Sequence, residues 1–473
     1  HSTGGNIAQN GPAGWEKPIQ RQGTCRHFTK NSPAMLNLTN GNELVGAPVK
    51  RTIRWIPRLL VFGLLIWGAC NSTREPSIEA PLNPGPIPSI ESVISTLDSP
   101  TVVYPNALVR IDSLIIEFIN ARAFPGAAVS MGRGSEIIKM TGYGGYTYRS
   151  RQHVLPESVF DLASLTKVIA TTTALMLLYE RGQLDLDAPV LRYLDAFNTP
   201  ERQSITIRHL LAHTSGLPAG QPFYQDGIIT RDAVLEAILA IALLTEPGEE
   251  YLYSSIGMIS LALVMEEITG EPFDQWCDRN IFDPLGMTST GFRGTGAPDT
   301  TVVPTELDDY FRNRLIQGEV HDETAWSLGG VAGHAGLFST ALDLSRFAQM
   351  MVQRGVHEGK EFLQGRTIDL FTAAVDTSLS TRALGWDTRG LNREPSSAGL
   401  NFGPRSYGHT GFTGTSLWID PDSEAWVLLL TNRVYPTRDE YARFRGIRGL
   451  VADAVFEAFF WPLPRQKTKV TSQ

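Results

Sequence analysis

The chain has 473 residues, of which 42% are hydrophobic and 19% charged, and its formal net charge is −8. This is the composition of a soluble globular protein with a large core and room for more than one subdomain. Residues 1–69 hold 8 of the 41 Lys and Arg but only 2 of the 49 Asp and Glu, so the rest of the chain is near −14. An acidic body without a basic stripe argues against nucleic acid as a partner.

The first 70 residues have the pattern of a targeting segment. Residues 1–34 show no periodicity, and we interpret them as a non-native or upstream segment. Residues 35–70 are interpreted as a signal peptide, in which basic residues precede the apolar run 59–69. This run is too short to span a bilayer, which needs roughly 20 apolar residues. We therefore expect an exported bacterial protein.

Cys70 directly follows the small residues Gly68 and Ala69, an arrangement that resembles a lipobox. The resemblance implies lipid attachment at Cys70, and hence a periplasmic or membrane-anchored lipoprotein. Simple export and a retained anchor are the alternatives. Of Cys25, Cys70 and Cys277, only Cys277 would be a free thiol in the mature chain, so no internal disulfide is expected.

Prolines make residues 71–106 a semi-rigid linker, which is followed by the folded body, residues 107–462, and a tail, residues 463–473. The predicted elements of the body are a helix over 107–122, a hairpin of strands 127–131 and 137–141, a helix starting at Ser164, a capped helix over 205–218, a helix over 341–352, strands 406–412, 416–419 and 425–431, and a helix over 439–460. Strands at both ends with helices between them predict an α/β (α+β) fold. One antiparallel sheet is built from both chain ends, is flanked by helices, and carries an inserted, mainly helical subdomain.

Ser164 and Lys167 are three residues apart at the predicted helix start, so they lie on one face. The following segment 168–179 is apolar nearly all round, which indicates that this helix is buried. A serine becomes a nucleophile when a base removes its proton, and a lysine with a lowered pKa, or one that orients a second base, serves this purpose. Unpaired N–H groups at a helix start would stabilise an oxyanion. The alternative is an N-terminal serine beside a solvated lysine.

Two later stretches qualify as partners of this pair. In residues 246–257, a Pro-Gly turn places Tyr253 before a helix, where a tyrosinate beside Lys167 would act as a general base. The alternative is a packed tyrosine whose hydroxyl is hydrogen-bonded. In YGHTGFTG, residues 407–414, two glycines permit close approach of the backbone to a ligand. His409 would supply a positive field or a hydrogen bond to a substrate carboxylate, and the N–H of Phe412 would be an oxyanion donor.

The motifs SLTK at Ser164, YSS at Tyr253 and HTG at His409 resemble the penicillin-recognising serine hydrolases, as do RHLLAHTSGLP between the first two motifs and GHAGLFST between the last two. This superfamily includes class C β-lactamases, D,D-peptidases, D-aminopeptidases and family VIII carboxylesterases, and the resemblance covers about residues 107–462. It implies a serine β-lactamase-like fold with Ser164 as the acylated nucleophile. It also implies Lys167 and Tyr253 as the proton-transfer pair. The amides of Ser164 and Phe412 would form the oxyanion hole.

Two positions depart from the family pattern. Members that bind β-lactams or peptides usually have Tyr-x-Asn, whereas this chain has Ser255, so the side-chain amide that would hold an acyl-amide group is missing. β-Lactamases usually have Lys-Thr-Gly, whereas this chain has His409. Both departures weaken the interpretation of the chain as a β-lactamase that confers antibiotic resistance. We assign His409 to the catalytic set and Ser255, Thr410 and Gly411 to substrate contacts.

The leading hypothesis is a serine hydrolase that cleaves small carboxylic esters or amides and uses neither a metal nor a cofactor. A D,D-peptidase or D-aminopeptidase acting on cell-wall peptides, or a weak β-lactamase, is the alternative within the enzymes. A binding module that remains acylated, as a sensor, is the alternative outside them. Trp326 and Phe223 are expected to wall an acyl pocket.

Three histidine regions remain as secondary candidates. His213 either touches the site or caps a helix end. His334 lies in the glycine-rich segment 328–340, which lacks the Gly-Lys-Ser/Thr ending of a phosphate loop, so nucleotide binding is rejected. The adjacent residues 321–323, His-Asp-Glu, point in different directions and have no second ligand set, so a metal site is rejected as well.

Overall fold

A six-stranded antiparallel sheet is the central element of the structure. The computed structural model describes residues 103–295, 299–389 and 396–460. The strands are β1 (Gly126–Arg133), β2 (Glu136–Gly144), β3 (Phe160–Asp161), β4 (Gly291–Phe292), β5 (Glu306–Asp308), β6 (Arg314–Ile316), β7 (Leu337–Ser339), β8 (Val356–His357), β9 (Lys360–Glu361), β10 (Asp387–Thr388), β11 (Tyr407–Thr410), β12 (Ser416–Asp420) and β13 (Ala425–Thr431). The central sheet has the strand order β10-β11-β12-β13-β1-β2.

The first and last strands of the body pair with each other. In the β1–β13 pair, Ala127 lies opposite Thr431 and Arg133 lies opposite Ala425. The sequence of β13, AWVLLLT, is buried along its whole length. A strand covered on both faces can be apolar at every position, which explains why this segment does not alternate with polar residues.

Helices cover both faces of the sheet. The α-helices are α1 (Pro105–Asn120), α2 (Thr173–Glu180), α3 (Ile207–Leu211), α4 (Arg231–Ala240), α5 (Ser255–Thr269), α6 (Phe273–Cys277), α7 (Glu323–Ser327), α8 (Ala341–Val352), α9 (Gly365–Thr372), α10 (Tyr441–Phe444) and α11 (Ile447–Phe460). Ile111 of α1 and Val451 of α11 pack in one cluster with Leu429 of β13. Leu428, whose side chain points to the opposite face, packs in the main core with Phe347 of α8.

The predicted fold class is confirmed. The sheet is antiparallel, takes strands from both ends of the body and is flanked by helices, while the regular elements between β2 and β10 are mainly helices. The predicted helix over 341–352 is capped by Thr340, whose Oγ1 accepts a hydrogen bond from the N–H of Asp343 at 3.2 Å. Both strands of the hairpin are longer than predicted, since they span Gly126–Arg133 and Glu136–Gly144.

Two predicted helices are shorter than expected. The capped helix over 205–218 is reduced to α3, because its chain turns at His213, which has a φ of +58°. The helix over 439–460 is divided into a 3₁₀ turn, α10 and α11, and Gly446, with a φ of +87°, separates the last two. A left-handed residue cannot continue a right-handed helix, so both breaks have a local backbone cause.

A second sheet, with the order β3-β7-β4, lies beside the nucleophile candidate. Within the described ranges, no helix is both long enough and apolar enough to cross a membrane. The upstream segment with Cys25, the signal peptide with Cys70, nearly all of the linker, and the tail lie outside the described residues. Their interpretation remains a prediction from the sequence.

Candidate active site

Ser164 follows a turn that is fixed by hydrogen bonds. The strand before it, β3, pairs with β7, and the buried carboxylate of Asp161 accepts a hydrogen bond from the N–H of Ala163 at 2.8 Å. Ala163 has a φ of +48°, a conformation that costs energy for a residue with a side chain. Strained backbone positions are common at functional sites, and this one lies directly before the candidate nucleophile.

The segment after this turn is not the single α-helix that the sequence predicts. Residues Ala163–Leu165 form a 3₁₀-helix, Lys167–Thr172 form a π-helix, and the α-helix α2 begins only at Thr173. The prediction that the segment is buried is confirmed, since Lys167–Thr172 are all buried. Short π-helical stretches occur frequently at functional sites.

Lys167 is fully buried and makes two hydrogen bonds through its Nζ. Nζ lies 3.0 Å from Ser164 Oγ and 3.0 Å from the backbone oxygen of His334. A buried amino group needs partners of this kind to offset the loss of water. The two contacts orient the lysine towards the serine, and the structure therefore brings together the predicted Ser164–Lys167 pair.

Tyr253 lies next to this pair. Its ring centroid is 5.1 Å from Lys167 Nζ and 4.7 Å from the ring centroid of His213. The side chain comes from the loop before α5, where the N–H of Ser254 donates to His213 Nδ1 at 3.1 Å. His213 is thus a buried support of the tyrosine loop. Burial, together with the charges of Arg382 and Lys167, holds its pKa well below the usual range.

His409, on β11, packs against Tyr253 with a centroid distance of 5.9 Å and an interplanar angle of 30°. Its Nδ1 lies 2.9 Å from the carbonyl oxygen of Thr410, so Nδ1 carries the proton. Burial, and then the charges of Arg382 and Lys167, hold the pKa of His409 well below its usual range. The imidazole is therefore neutral at pH 7, and the sequence-based idea that His409 supplies a positive field is wrong.

The chain after β11 is bound tightly to the segment that carries the nucleophile. Thr413 Oγ1 donates to the backbone oxygen of Asp161 at 2.8 Å, and Thr415 Oγ1 donates to that of Leu162 at 2.9 Å. A Cβ on Gly411 would lie 2.4 Å from the oxygen of Leu162, so only glycine fits here. Among the described residues, the N–H of Phe412 has no hydrogen-bond acceptor. It is free to serve as an oxyanion donor.

A cleft of about 450 Å³ contains these groups. Its lining residues are Ser164, Tyr251, Tyr253, Arg382, His409, Thr410, Gly411, Phe412, Arg433, Arg438, Tyr441 and Arg448. The four arginines were not predicted from the sequence. The sequence holds one signal for Arg382, because this charged residue directly precedes the apolar segment 383–386.

The residues predicted not to bind metal make separate contacts. His321 Nε2 lies 2.8 Å from Glu306, and the His321 ring stacks on Phe412 at 5.7 Å. Burial lowers the pKa of His321, but the hydrogen bond and charge of Glu306 outweigh it and raise the pKa. Asp322 instead contacts the His334 ring at 2.9 Å. Across the described ranges, no three His, Cys, Asp or Glu side chains are grouped so as to hold a metal ion.

Besides the buried Lys167 and His213, four candidates do not line this cleft. The backbone oxygen of His334 holds Lys167, while its ring faces Asp322. Ser255 begins α5 and is not part of the wall. Trp326 donates to Glu319 at 2.8 Å, and Phe223 is buried in the main core, so the predicted acyl pocket built from them is wrong.

The sheet has the topology described above, and a serine in the cleft is hydrogen-bonded to a buried lysine. Together these features define the protein as a serine hydrolase. A family model described as Beta-lactamase matches residues 111–452. The chain belongs to this family, within the penicillin-recognising serine hydrolase superfamily.

Several named relatives are similar to this chain. An N-acetylmuramyl-L-alanine amidase of Bacillus subtilis (strain 168) is 33% identical over 391 residues, which cover 74% of this chain and 88% of the relative. A protein of Escherichia coli (strain K12), provisionally named a D-alanyl-D-alanine carboxypeptidase, is 32% identical over 302 residues, 58% of this chain and 69% of the relative. The two names describe an amidase and a carboxypeptidase.

The fold is also similar to solved structures. The hydrolase EstCE1, described as having promiscuous acyltransferase activity, is 26% identical with a TM-score of 0.59, and the match covers 74% of this chain and 98% of EstCE1. An octameric penicillin-binding protein homologue from Pyrococcus abyssi is 22% identical with a TM-score of 0.56, over 71% of this chain and 76% of the homologue. The second likeness concerns the fold alone.

Proposed function

We propose that the chain hydrolyses small carboxylic esters through an acyl-enzyme on Ser164. The observation that carries the proposal is the 3.0 Å contact between Ser164 Oγ and the buried Nζ of Lys167. A buried amino group is costly, and an apolar side chain would fill the same space at a lower cost. A lysine is expected here if the serine must lose its proton during the reaction.

In the acylation step, Ser164 Oγ forms a bond to the carbonyl carbon of the substrate. The serine proton passes to the proton-transfer pair formed by Lys167 and Tyr253. The π electrons of the carbonyl move to its oxygen, which the N–H groups of Ser164 and Phe412 stabilise. As the bond to the leaving group breaks, the departing alkoxide takes the proton and leaves as an alcohol. Water then repeats the sequence, releases the acid and restores the serine.

Esters are the favoured substrates for two reasons. An alkoxide is a better leaving group than an amine, so an ester needs less help from the protein. In addition, Ser255 begins α5 outside the cleft wall, and no asparagine amide occupies its position to orient an acyl-amide group. The similarity to EstCE1, a hydrolase with promiscuous acyltransferase activity, agrees with a reaction that passes through an acyl-enzyme.

A second candidate is a peptidase or amidase acting on cell-wall peptides. The specific observation in its favour is the pair of guanidinium groups of Arg433 and Arg448 in the cleft. Burial lowers the pKa of each arginine to about 10, and no carboxylate of the described residues forms an ion pair with either. A peptide with a free carboxylate would supply the missing negative charge. The names of the two relatives described above agree with this candidate.

A substrate panel decides between these candidates. The purified chain is incubated with nitrophenyl esters, a peptide ending in D-Ala-D-Ala, and a cephalosporin, with Ser164→Ala as the control. Continued turnover that is fastest on the esters supports the proposal, whereas turnover of the peptide alone supports the second candidate. A burst that stops after one equivalent indicates the sensor, and no reaction with any ester refutes the proposal.

A further inference from the structure

Asp161 is a buried carboxyl group close to the candidate nucleophile, although it does not line the cleft. Its exposed fraction is 2%, and burial raises its pKa, while hydrogen bonds from the N–H groups of His321 and Ala163 oppose the rise. A buried carboxyl group is costly unless hydrogen bonds compensate for the lost water. The two partners that compensate Asp161 therefore deserve a closer description, because they belong to different parts of the chain.

The side chain of Asp161 joins the nucleophile turn to the loop before α7. Oδ1 accepts a hydrogen bond from the N–H of Ala163 at 2.8 Å, and Oδ2 accepts one from the N–H of His321 at 2.7 Å. Ala163 directly precedes Ser164 and has a φ of +48°. The first bond thus holds the strained residue whose conformation sets the direction of the Ser164 N–H.

Two further contacts connect Asp161 to Phe412. The backbone oxygen of Asp161 accepts a hydrogen bond from Thr413 Oγ1 at 2.8 Å, and Thr413 is the next residue after Phe412. The ring of His321, whose N–H is held by Asp161, lies 5.7 Å from the ring of Phe412, measured between centroids. Phe412 is thus fixed relative to Asp161 through its chain neighbour and through its own ring.

We propose that Asp161 is a positioning residue that holds the N–H groups of Ser164 and Phe412 at the spacing at which both donate to one oxyanion. This inference rests on the proposed function, because it assumes attack by Ser164. Among the described residues, neither N–H has a hydrogen-bond acceptor, as donors to a ligand require. Two donors on separate segments act together only while their spacing is fixed, and a misplacement of about 1 Å costs about 100-fold in rate.

Binding of phenylboronic acid, measured together with kcat/KM on a nitrophenyl ester, tests the inference. In this reaction Ser164 Oγ forms a bond to boron, and the serine proton passes to the proton-transfer pair. Boron becomes tetrahedral and negatively charged, keeps both of its hydroxyl groups, and places one of them in the oxyanion hole. Because no leaving group departs, the dissociation constant reports how well the protein stabilises a tetrahedral adduct.

Asp161→Asn is the decisive variant. The amide has the volume of the carboxylate but only one acceptor oxygen, so its NH₂ group would face one of the two N–H donors. We expect kcat/KM and the affinity for phenylboronic acid to fall together by about 10- to 100-fold, which approaches the effect of removing an oxyanion donor. The two losses should agree within about threefold, since the adduct resembles the transition state.

Asp343→Asn is the matched control for the loss of a buried carboxylate. Asp343 is also 2% exposed, and its Oδ2 accepts a hydrogen bond from the N–H of Ser289 at 2.7 Å, but it does not line the cleft. This variant should lower the thermal midpoint and leave both constants within about threefold of the wild type. Circular dichroism verifies folding.

Thr413→Val is a second variant, which removes only the hydroxyl that bonds the backbone oxygen of Asp161. It should weaken phenylboronic acid binding by several-fold, and it decides the question if Asp161→Asn does not fold. Unchanged binding in Thr413→Val then overturns the inference.

Unchanged boronic acid affinity in folded Asp161→Asn overturns the inference even if kcat/KM falls, because Asp161 would then act elsewhere than in the oxyanion hole. An equal loss in Asp343→Asn also overturns it, since the loss of any buried carboxylate would then suffice. A wild type that hydrolyses esters but does not bind the boronic acid overturns it as well. These outcomes leave the proposed function intact. The absence of reaction with any ester refutes the proposed function, and the inference fails with it.

Discussion

The amino group of Lys167 lies 3.0 Å from the backbone oxygen of His334. This contact gives a role to the glycine-rich segment 328–340, because the segment supplies the carbonyl that orients the lysine towards Ser164. Gly333 in the same segment accepts a hydrogen bond from Thr171 at 2.6 Å, and a Cβ at this glycine would lie 2.1 Å from the oxygen of Met258. The segment therefore needs glycine so that it can pack closely beside the buried helix.

Replacement of the nucleophile is the first prediction. Ser164→Ala should abolish both turnover and fluorophosphonate labelling, with a loss of about 10⁴ to 10⁶ in rate, the size found when other nucleophiles are removed. Mass spectrometry of the labelled wild-type chain identifies the modified residue. Labelling of another serine in Ser164→Ala would contradict the assignment.

A second prediction concerns the oxyanion hole. Gly411→Ala should lower kcat by at least about tenfold and destabilise the protein by roughly 1–3 kcal/mol, because the new Cβ would lie 2.1 Å from Thr415 Oγ1 and 2.4 Å from the oxygen of Leu162. Kinetics and urea unfolding measure the two effects. Gly220→Ala is the matched control, since its Cβ would meet nothing within 4 Å. Equal effects of both changes would show that the packing at Gly411 is unimportant.

The neutral state of His409 leads to a third prediction. Since the pKa of the buried imidazole is held well below the usual 6.5, the folded protein resists its protonation, and its contribution to stability is present above that value and lost as pH falls. His409→Gln should remove this loss of stability at lower pH. The difference in unfolding free energy between variant and wild type should move in favour of the variant between pH 7.5 and pH 5. Urea titrations at both values measure it, and a constant difference would contradict the assignment.

The position of Ser255 gives a fourth prediction. Ser255 itself does not line the cleft, but the longer asparagine would restore a side-chain amide, and a neutral hydrogen bond from it to an acyl-amide group is worth about 0.5–1.5 kcal/mol. Ser255→Asn should therefore raise kcat/KM on a cephalosporin or a D-amino amide relative to a short nitrophenyl ester by several-fold. Ser254→Ala is an unsuitable control, because Ser254 caps α5. The wild type measured on both substrates is the reference, and an unchanged ratio would remove Ser255 as a determinant of substrate class.

The targeting segment gives a fifth prediction, based on the sequence alone. If Cys70 carries a lipid, Cys70→Ser expressed with its native leader should move from the detergent phase to the soluble periplasmic fraction. Phase partitioning followed by immunoblotting measures this shift. Cys277→Ser is the control for the loss of a cysteine as such, since Cys277 is buried in the core. An unchanged distribution of Cys70→Ser would refute lipid attachment.

Much of the fold could be predicted because its elements have strong local signals. The apolar run of β13, the helical spacing of α1 and the threonine cap of α8 depend on neighbours within a few residues, and each was located to within about two residues. The breaks at His213 and Gly446 were missed. A positive φ is imposed by packing and leaves no periodicity to detect, although glycine permits it.

The sequence by itself determined the Ser164–Lys167 pair, because two residues three apart in one turn must be neighbours whatever the rest of the chain does. The order of the motifs in the sequence also indicated which distant residues are candidates for the active site. Only the tertiary structure decided that His409 is neutral and that Arg382 faces Tyr253 at 5.0 Å. Charge state depends on burial and on cations contributed by segments far apart in the chain, and neither property is encoded in any local stretch.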